Sequence, residues 1–277
     1  RQDRSLWSMA PTVYLPSLLF GIGQGAIVPV VVLSARDLGA SVAVAGVAAA
    51  AVGLGRMTGD IPAGALAGRV GERYAMLLAA VLALLSLGAC VLASAPWVLC
   101  AALLALGVST AVWNLARQSY LTESIPFGLR GRALSTLGGM QRIGLFAGPF
   151  LAAAVMGPLG IDGGYWVHIA TVVLAAGVVL WMPDPGRRAP QRPAAHGAGT
   201  LKVIGAHLPL FRTLGLGTLM VSAVRSSRQV IIPLWAAEQL GLDAVTTTLI
   251  FGLSGAVELV LFYPGGLAMD RLGRHWV

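Results

Sequence analysis

The sequence predicts an all-α membrane protein, and three observations carry that prediction. The 277 residues are 57% hydrophobic and only 11% charged, with a mean hydropathy of +0.80. A soluble domain keeps roughly a quarter of its residues charged so that its surface stays wet; the charges here are too few for that. The apolar residues come in blocks of about twenty, the length a helix needs to cross about 30 Å of hydrocarbon. Finally, the net charge of +8 comes from arginines scattered between these blocks. They form no single basic stripe with interleaved aromatics, so the pattern excludes a nucleic-acid partner and fits membrane topology with a lipid bilayer as the surroundings.

Eight spans follow in order. The block 11–35 is uncharged up to Arg36, and 42–67 holds only Arg56 and Asp60. Block 75–95 is uncharged, while 97–121 carries Arg117 near its end. Block 133–157 contains Arg142, and 163–182 has His168 near one end. Block 208–234 contains Arg225 and Arg228, and 244–264 contains Glu258. Glycine and proline within these blocks are normal for membrane helices, where neighbours satisfy freed backbone groups.

The arginines set the orientation. With the N-terminus cytoplasmic, the inside holds Arg1, Arg4, Arg69, Arg73, Arg130, Arg132, Arg187, Arg188, Arg192, Lys202, Arg271 and Arg274, and the outside holds Arg36. That asymmetry predicts an integral protein of the cell (inner) membrane. The segment 183–207, rich in Pro, Ala, Gly and Arg, reads as a cytoplasmic linker. The domains are therefore 1–182, a six-helix bundle, the linker 183–207, and 208–277, the start of a second bundle. Cys90 and Cys100 lie in or beside apolar blocks and read as small buried hydrophobes. The chain starts at Arg1 without a Met and stops at Val277 just after a loop that normally leads into another helix, so a fragment is expected.

The chain also repeats itself at an offset of 202 residues. Gly53, Pro62, Gly64, Arg69 and Gly71 fall on Gly255, Pro264, Gly266, Arg271 and Gly273, and Leu38-Gly39 falls on Leu240-Gly241. Duplicated halves that cross in the same direction are a mark of transporter architecture. In the second copy, Gly266, Asp270, Arg271, Gly273 and Arg274 resemble the G-x-x-x-D-R-x-G-R signature of the major facilitator superfamily. The first copy, Gly64 to Arg73, is similar except that Gly68 stands where the family has Asp. A second resemblance runs from Arg117 through Tyr120, Glu123, Pro126 and Arg130 to Gly131, similar to the R-x-x-Y-x-x-E-x-x-P-x-x-x-R-G pattern after helix four. The resemblance implies the family fold of two six-helix bundles. This chain would hold one bundle plus helices seven and eight, 8 of an expected 12, with helices nine to twelve of its own full-length chain missing.

The physics of the signature is a helix end that packs closely and then turns. Gly64 and Gly266 permit close backbone approach, and Gly71 and Gly273 permit a turn with positive φ. Arg69, Arg73, Arg271 and Arg274, with Glu123, Arg130 and Asp270, are candidates for a cytoplasmic gate in which guanidinium–carboxylate pairs hold the bundles together. The plainer alternative is that the arginines only orient the chain. In span five, Gly144, Gly148 and Pro149 are similar to a glycine-rich motif of the family's drug–proton antiporters and form a smooth packing face. The companion R-x-x-Q-G pattern is absent, with Leu103 and Leu106 at the Arg and Gln places.

Charges inside spans are the strongest site candidates, because each costs at least about 2.5–3.5 kcal/mol near a helix centre and so faces a partner or a wet cavity. Arg56 and Asp60 share a face and can neutralise each other. Glu258 falls on Arg56 at the 202-residue offset and is the candidate proton-coupling residue. Arg142 and Arg225 are candidates for holding an anionic group, with Arg228 beside Arg225. Gln24, Asn114, Gln141 and Gln229 are candidate polar lining, or interhelical hydrogen-bond partners. Arg117 is expected to snorkel to the cytoplasmic surface.

These readings converge on a secondary transporter of a small organic molecule, with proton-coupled export ahead of sugar- or metabolite-type uptake. A non-transporting sensor of the same fold is the alternative from another class. An enzyme is not expected: His168, His196, His207 and His275 share no metal-ligand spacing or nucleophile, and no cofactor is called for. No G-x-x-x-x-G-K-[ST] loop is present, which argues against an ATP-driven pump.

Overall fold

The computed structural model describes residues 13–125, 127–181 and 215–257, the side chains of Ile61 and Phe127 excepted. The linker, Glu258, and the second-copy residues Gly266, Asp270, Arg271, Gly273 and Arg274 lie outside the described residues. So do the expected start of span seven and end of span eight.

The described chain is helical throughout. Its helices are α1 (Leu15–Asp37), α2 (Val42–Val70), α3 (Glu72–Val91), α4 (Pro96–Ser124), α5 (Arg130–Leu159), α6 (Gly163–Trp181), α7 (Leu216–Glu238) and α8 (Ala244–Val257). Six of these, α1 to α6, contain a stretch long and apolar enough to cross a membrane. The fold expectation of an all-α membrane protein is met.

Several helices outrun their apolar blocks by about a turn. α2 continues through Gly68 and Arg69 to Val70, α4 continues to Ser124, and α5 begins at Arg130 rather than 133. Hydropathy marks where hydrocarbon ends, whereas the backbone ladder continues until a cap or breaker stops it. Between α2 and α3 that breaker is Gly71, with φ +87°, so the connection is a single residue. The positive-φ turn expected there is present.

The exposed faces are apolar and the packed faces are small, the reverse of a water-soluble helix. On α3, Tyr74, Leu78, Val81 and Leu85 point outward, while Ala75, Ala79, Ala80 and Ala83 are buried. Lipid tails are as apolar as leucine, so helices associate through close backbone contact rather than by hiding large side chains.

Two crossings show this directly. Gly21 and Gly25 of α1 lie against the Gln141 and Leu145 carbonyls of α5, and Gly144 and Gly148 of α5 lie against the Leu18 and Ile22 carbonyls of α1. Gly55 and Gly59 of α2 meet Leu104, Gly107 and Val108 of α4 in the same way. A methyl at Gly59 would sit 2.9 Å from the Val108 Cα. Gly144 and Gly148 thus act as the expected packing residues. Gly64 does not: a methyl there would meet only the Leu115 side chain at 3.7 Å. The close approach expected at Gly64 occurs one to two turns earlier, because α2 and α4 cross at Gly55–Gly59 and have separated by residue 64.

The repeat is visible in the backbone. α1 and α7 end at equivalent glycines, Gly39 with φ +81° and Gly241 with φ +63°. The next helix is then capped at equivalent places. The Ser41 hydroxyl accepts from the Val44 N–H, and the Asp243 carboxylate accepts from the N–H groups of Val245 and Thr246.

Candidate functional site

The helices border an open cavity of about 810 Å³ between α1, α2 and α5 on one side and α7 on the other. A second space of about 220 Å³ adjoins it, with Val28, Leu145 and Gln229 on the walls of both. The combined size suits a small organic molecule, since such sites occupy roughly 300–1,000 Å³.

The charged candidates divide between these spaces. Arg56 lines the larger one, and Arg142, Arg225 and Arg228 line the smaller. They arrive from four places on three helices, because α2 and α5 present one face inward and α7 runs along the open side. Gln229 borders both spaces, and Gln24 and Gln141 border the larger. Asp60 is exposed and lines neither; no direct ion pair joins it to Arg56 among the described residues, but the two charges, one turn apart on α2, still attract each other.

Behind the cavity wall lies a buried polar chain. Arg117 donates to the Gln141 Oε1 at 2.9 Å and to the Asn114 Oδ1 at 3.2 Å, and Gln141 donates to the Gln24 Oε1 at 3.3 Å. Asn114 therefore holds another side chain and does not line either space. Arg117 is only 2% exposed, which corrects the expectation that it snorkels. The reason is that α4 continues past it to Ser124, and its face carries the buried Trp113, Ala116 and Tyr120 into the bundle.

His168 was placed by the sequence near the end of a span and given no role. In the fold it is fully buried, lies on the wall of the larger cavity, and stands edge-on to Phe20 with ring centroids 5.7 Å apart. Phe20 in turn stacks on Trp113 at 4.8 Å. Gly23 of α1 faces the imidazole, and any side chain there would collide with it. The glycine run in α1 was the signal for this pocket, but it did not say which side chain would fill it.

A second feature missed from sequence joins the ends of two cavity-lining helices. Arg36, at the end of α1, donates from Nε to the Glu238 Oε1 at 2.6 Å, at the end of α7. The two residues are 202 apart, so they hold equivalent places in the two copies of the repeat. Nearby, the Thr248 hydroxyl of α8 lies 3.7 Å from the Met156 sulfur of α5, and Gly252 packs on Pro149 and Phe150. All these contacts lie at or toward the end that carries the α1–α2, α5–α6 and α7–α8 loops. Toward the opposite end, Leu216–Ser227 of α7 are exposed.

At that opposite end lie the described signature residues. Arg69 is exposed in the last turn of α2, where its charge meets the negative end of the helix dipole. Arg73 donates to the Leu180 carbonyl near the end of α6, and Arg130 donates to the Ile125 carbonyl at 3.4 Å. Glu123 is exposed near the end of α4. Glu72, four residues on from Gly68 at the start of α3, is buried and accepts from the Ser119 hydroxyl at 3.2 Å.

The family model described as Major Facilitator Superfamily matches residues 13–277. Among solved structures, the chain is similar to a bacterial homolog of the human lysosomal transporter Spinster, in an inward-facing and unoccupied conformation. The TM-score is 0.77 and the identity 16%, over 98% of this chain and 64% of that one. It is also similar to a D-xylose–proton symporter, with a TM-score of 0.66 and 17% identity over 96% of this chain and 69% of that one. No curated protein matches. The chain thus spans less than two thirds of the Spinster homolog, and at these identities the likeness establishes the fold alone. The family model covers nearly the whole chain, and the chain belongs to the major facilitator superfamily.

Proposed function

We propose that this protein is a secondary active transporter that moves a small organic solute across the cell membrane by alternating access, with its N-terminus in the cytoplasm. In this reading, residues 1–182 are one bundle, 183–207 the cytoplasmic linker, and α7 and α8 the first two crossings of the second bundle. The observation that carries the proposal is the Arg36–Glu238 ion pair. It joins equivalent points of the two halves at one end of a solute-sized cavity. A carrier needs a contact that shuts one side and can be released, and a partly exposed ion pair of modest strength suits that need. In this reading the state is closed outside and open toward the cytoplasm, like the inward-facing conformation of the Spinster homolog.

Proton coupling is supported by an acidic residue, Glu258, within a span, and by a proton-coupled relative of the same fold. Export is the direction we favour, on the Gly144–Pro149 packing face shared with antiporters. The segment from Arg117 to Gly131 supports uptake instead. On the cytoplasmic side, Arg69, Arg73, Glu123 and Arg130, with Asp270, Arg271 and Arg274, would form the opposing gate.

The test is an Arg36→Cys/Glu238→Cys pair in the full-length protein with Cys90 and Cys100 replaced by serine, and a reporter Met57→Cys in the cavity. Oxidation should lock the outer end and cut labelling of the reporter by an impermeant maleimide from outside by at least tenfold, with recovery on reduction. Unchanged outside labelling after locking would overturn the gate. A reporter never labelled from outside, even reduced, would favour the non-transporting sensor.

A further inference from the structure

We propose that Arg117 is a positioning residue for the cavity: it orients the Gln141 and Gln24 amides so that this wall offers N–H donors, and the site takes a solute bearing a carbonyl-type acceptor oxygen. The inference deepens the transporter reading and rests on it for the biological role, but the binding is measurable without transport.

The direction of the hydrogen bonds is the first support. A guanidinium has five N–H donors and no acceptor, so an amide that bonds to it must turn its oxygen that way. Arg117 donates to the Gln141 Oε1 at 2.9 Å and to the Asn114 Oδ1 at 3.2 Å. Gln141 then turns its Nε2 the other way, where it donates to the Gln24 Oε1 at 3.3 Å. Gln24 is left with its own Nε2, which is enclosed and has no acceptor among the described residues. At each step the oxygen points back toward Arg117 and the N–H points onward. An isolated amide can be turned either way, but here the network fixes both. A cation at the head of such a chain also polarises it and strengthens the donors further along.

The helix crossing brings the chain to the cavity. Gly21 of α1 lies so close to α5 that a methyl there would sit 2.5 Å from the Gln141 carbonyl oxygen. Gln24 is three residues further along α1, on the same face, and so comes alongside the Gln141 side chain. Both glutamines line the larger cavity, Gln141 half-buried and Gln24 buried. Arg117 lines neither space and acts on a solute only through them.

The chemistry of the solute follows. A donor left without a partner in apolar surroundings is costly, and an oxygen brought to it removes that cost. The oxygen of an amide, ester, ketone or carboxylate fits, whereas an N–H group of the solute would face another N–H. Ile27, Val28, Val31, Leu54 and Met57 line the same cavity and favour an apolar body behind that oxygen.

The test uses three flat tricyclic probes of one shape: fluorenone with a carbonyl acceptor, carbazole with an N–H donor, and fluorene with neither. Binding to the purified full-length protein in detergent is measured by equilibrium dialysis against protein-free micelles, without any flux. Wild type should bind fluorenone about fivefold more tightly than the other two, the worth of one net hydrogen bond. Arg117→Lys, which also can only donate, should keep that order. Arg117→Gln, which can donate or accept, should let the amides turn and cut the preference to below about twofold. Gln141→Glu gives Arg117 a carboxylate, puts an acceptor on the wall and turns the Gln24 amide round, so carbazole should become the tightest. Wild type without a preference for fluorenone, or without binding of any probe, overturns the proposal. A preference unchanged in Arg117→Gln overturns it too, as does an equal weakening of all three probes in Arg117→Gln and Arg117→Lys, the mark of a purely structural role. If Arg117→Gln is not monodisperse on gel filtration, Gln141→Glu decides, and fluorenone remaining tightest there is the overturning result. A negative result here leaves the gate experiment standing, and a failed gate with intact probe selectivity would count against transport alone.

Discussion

α1 and α7 occupy the same place in the two halves of the repeat, and their middles differ completely. At the 202-residue offset, Gly23, Gly25 and Ala26 of α1 fall on Arg225, Ser227 and Arg228 of α7. The α1 residues are buried against α5 and α6, with glycine where another backbone or His168 comes too close for a side chain. The α7 residues face the cavity or are exposed. The ends of the two helices have stayed alike: both stop at a positive-φ glycine, both are followed by a capped helix, and Arg36 and Glu238 meet at matching positions. The repeat has kept the turns, which define the architecture, and diverged in the middle, where one helix packs into a bundle and the other lines the cavity with polar and charged residues. In this comparison the same helix is packed in one half and borders open space in the other.

The largest break in that contrast should come from matched substitutions at the middles. Gly25→Val forces a side chain into the Leu145 carbonyl, where neither backbone can yield. Overpacking costs typically about 1–3 kcal/mol, and contact with backbone lies at or above the upper end. Ser227→Val, at the equivalent place, should stay within about 0.5 kcal/mol. Reversible unfolding in mixed micelles measures both; similar losses would refute the contrast.

A smaller difference is expected between two glutamines. Gln141→Leu removes the nearer of two acceptors of the buried Arg117 and the partner of Gln24, leaving polar groups unsatisfied at a cost of about 1–3 kcal/mol. Gln229→Leu, on the cavity wall, should leave stability nearly unchanged and appear instead as altered probe binding. A Gln229→Leu protein as destabilised as Gln141→Leu would show that α7 is packed as tightly as the bundle.

The smallest effect concerns the equivalent caps. Ser41→Ala should cost about 1 kcal/mol, at any pH between about 3 and 7, because a hydroxyl cap does not titrate there. Asp243 differs. Hydrogen bonds from the Thr246 hydroxyl and N–H, and from the Val245 N–H, hold its carboxyl below the usual carboxylate range. A lowered folded-state pKa gives stability that is complete above the unfolded value of about 3.9 and fades as pH falls through the folded value. The melting-temperature gap between wild type and Asp243→Asn should therefore narrow on acidification, whereas the Ser41→Ala gap should not. A gap that widened in acid would overturn that sign.

The residue patterns that announced the fold were local ones. Apolar block length, arginine placement and the recurrence of Gly53 to Gly71 at Gly255 to Gly273 are written along the chain. The site was only partly legible. Arg56, Arg142, Arg225, Arg228 and Gln229 stood out because polar groups within apolar blocks are costly, and each lines the cavity or the smaller space beside it. Arg117 stood out for the wrong reason, since its position along α4 does not reveal that its face turns inward. His168 and Glu238 were passed over because each is unremarkable among its sequence neighbours.

By itself the sequence determined that the chain crosses a membrane as helices, that its halves repeat, and where its turns lie. These depend on hydrocarbon thickness and backbone conformation, which short segments specify. Only the tertiary structure decided which glycines meet, that Arg36 reaches Glu238, that His168 is sealed against Phe20, and that four arginines share adjoining spaces. Those are contacts between residues distant along the chain, and they are set by how the helices cross and rotate.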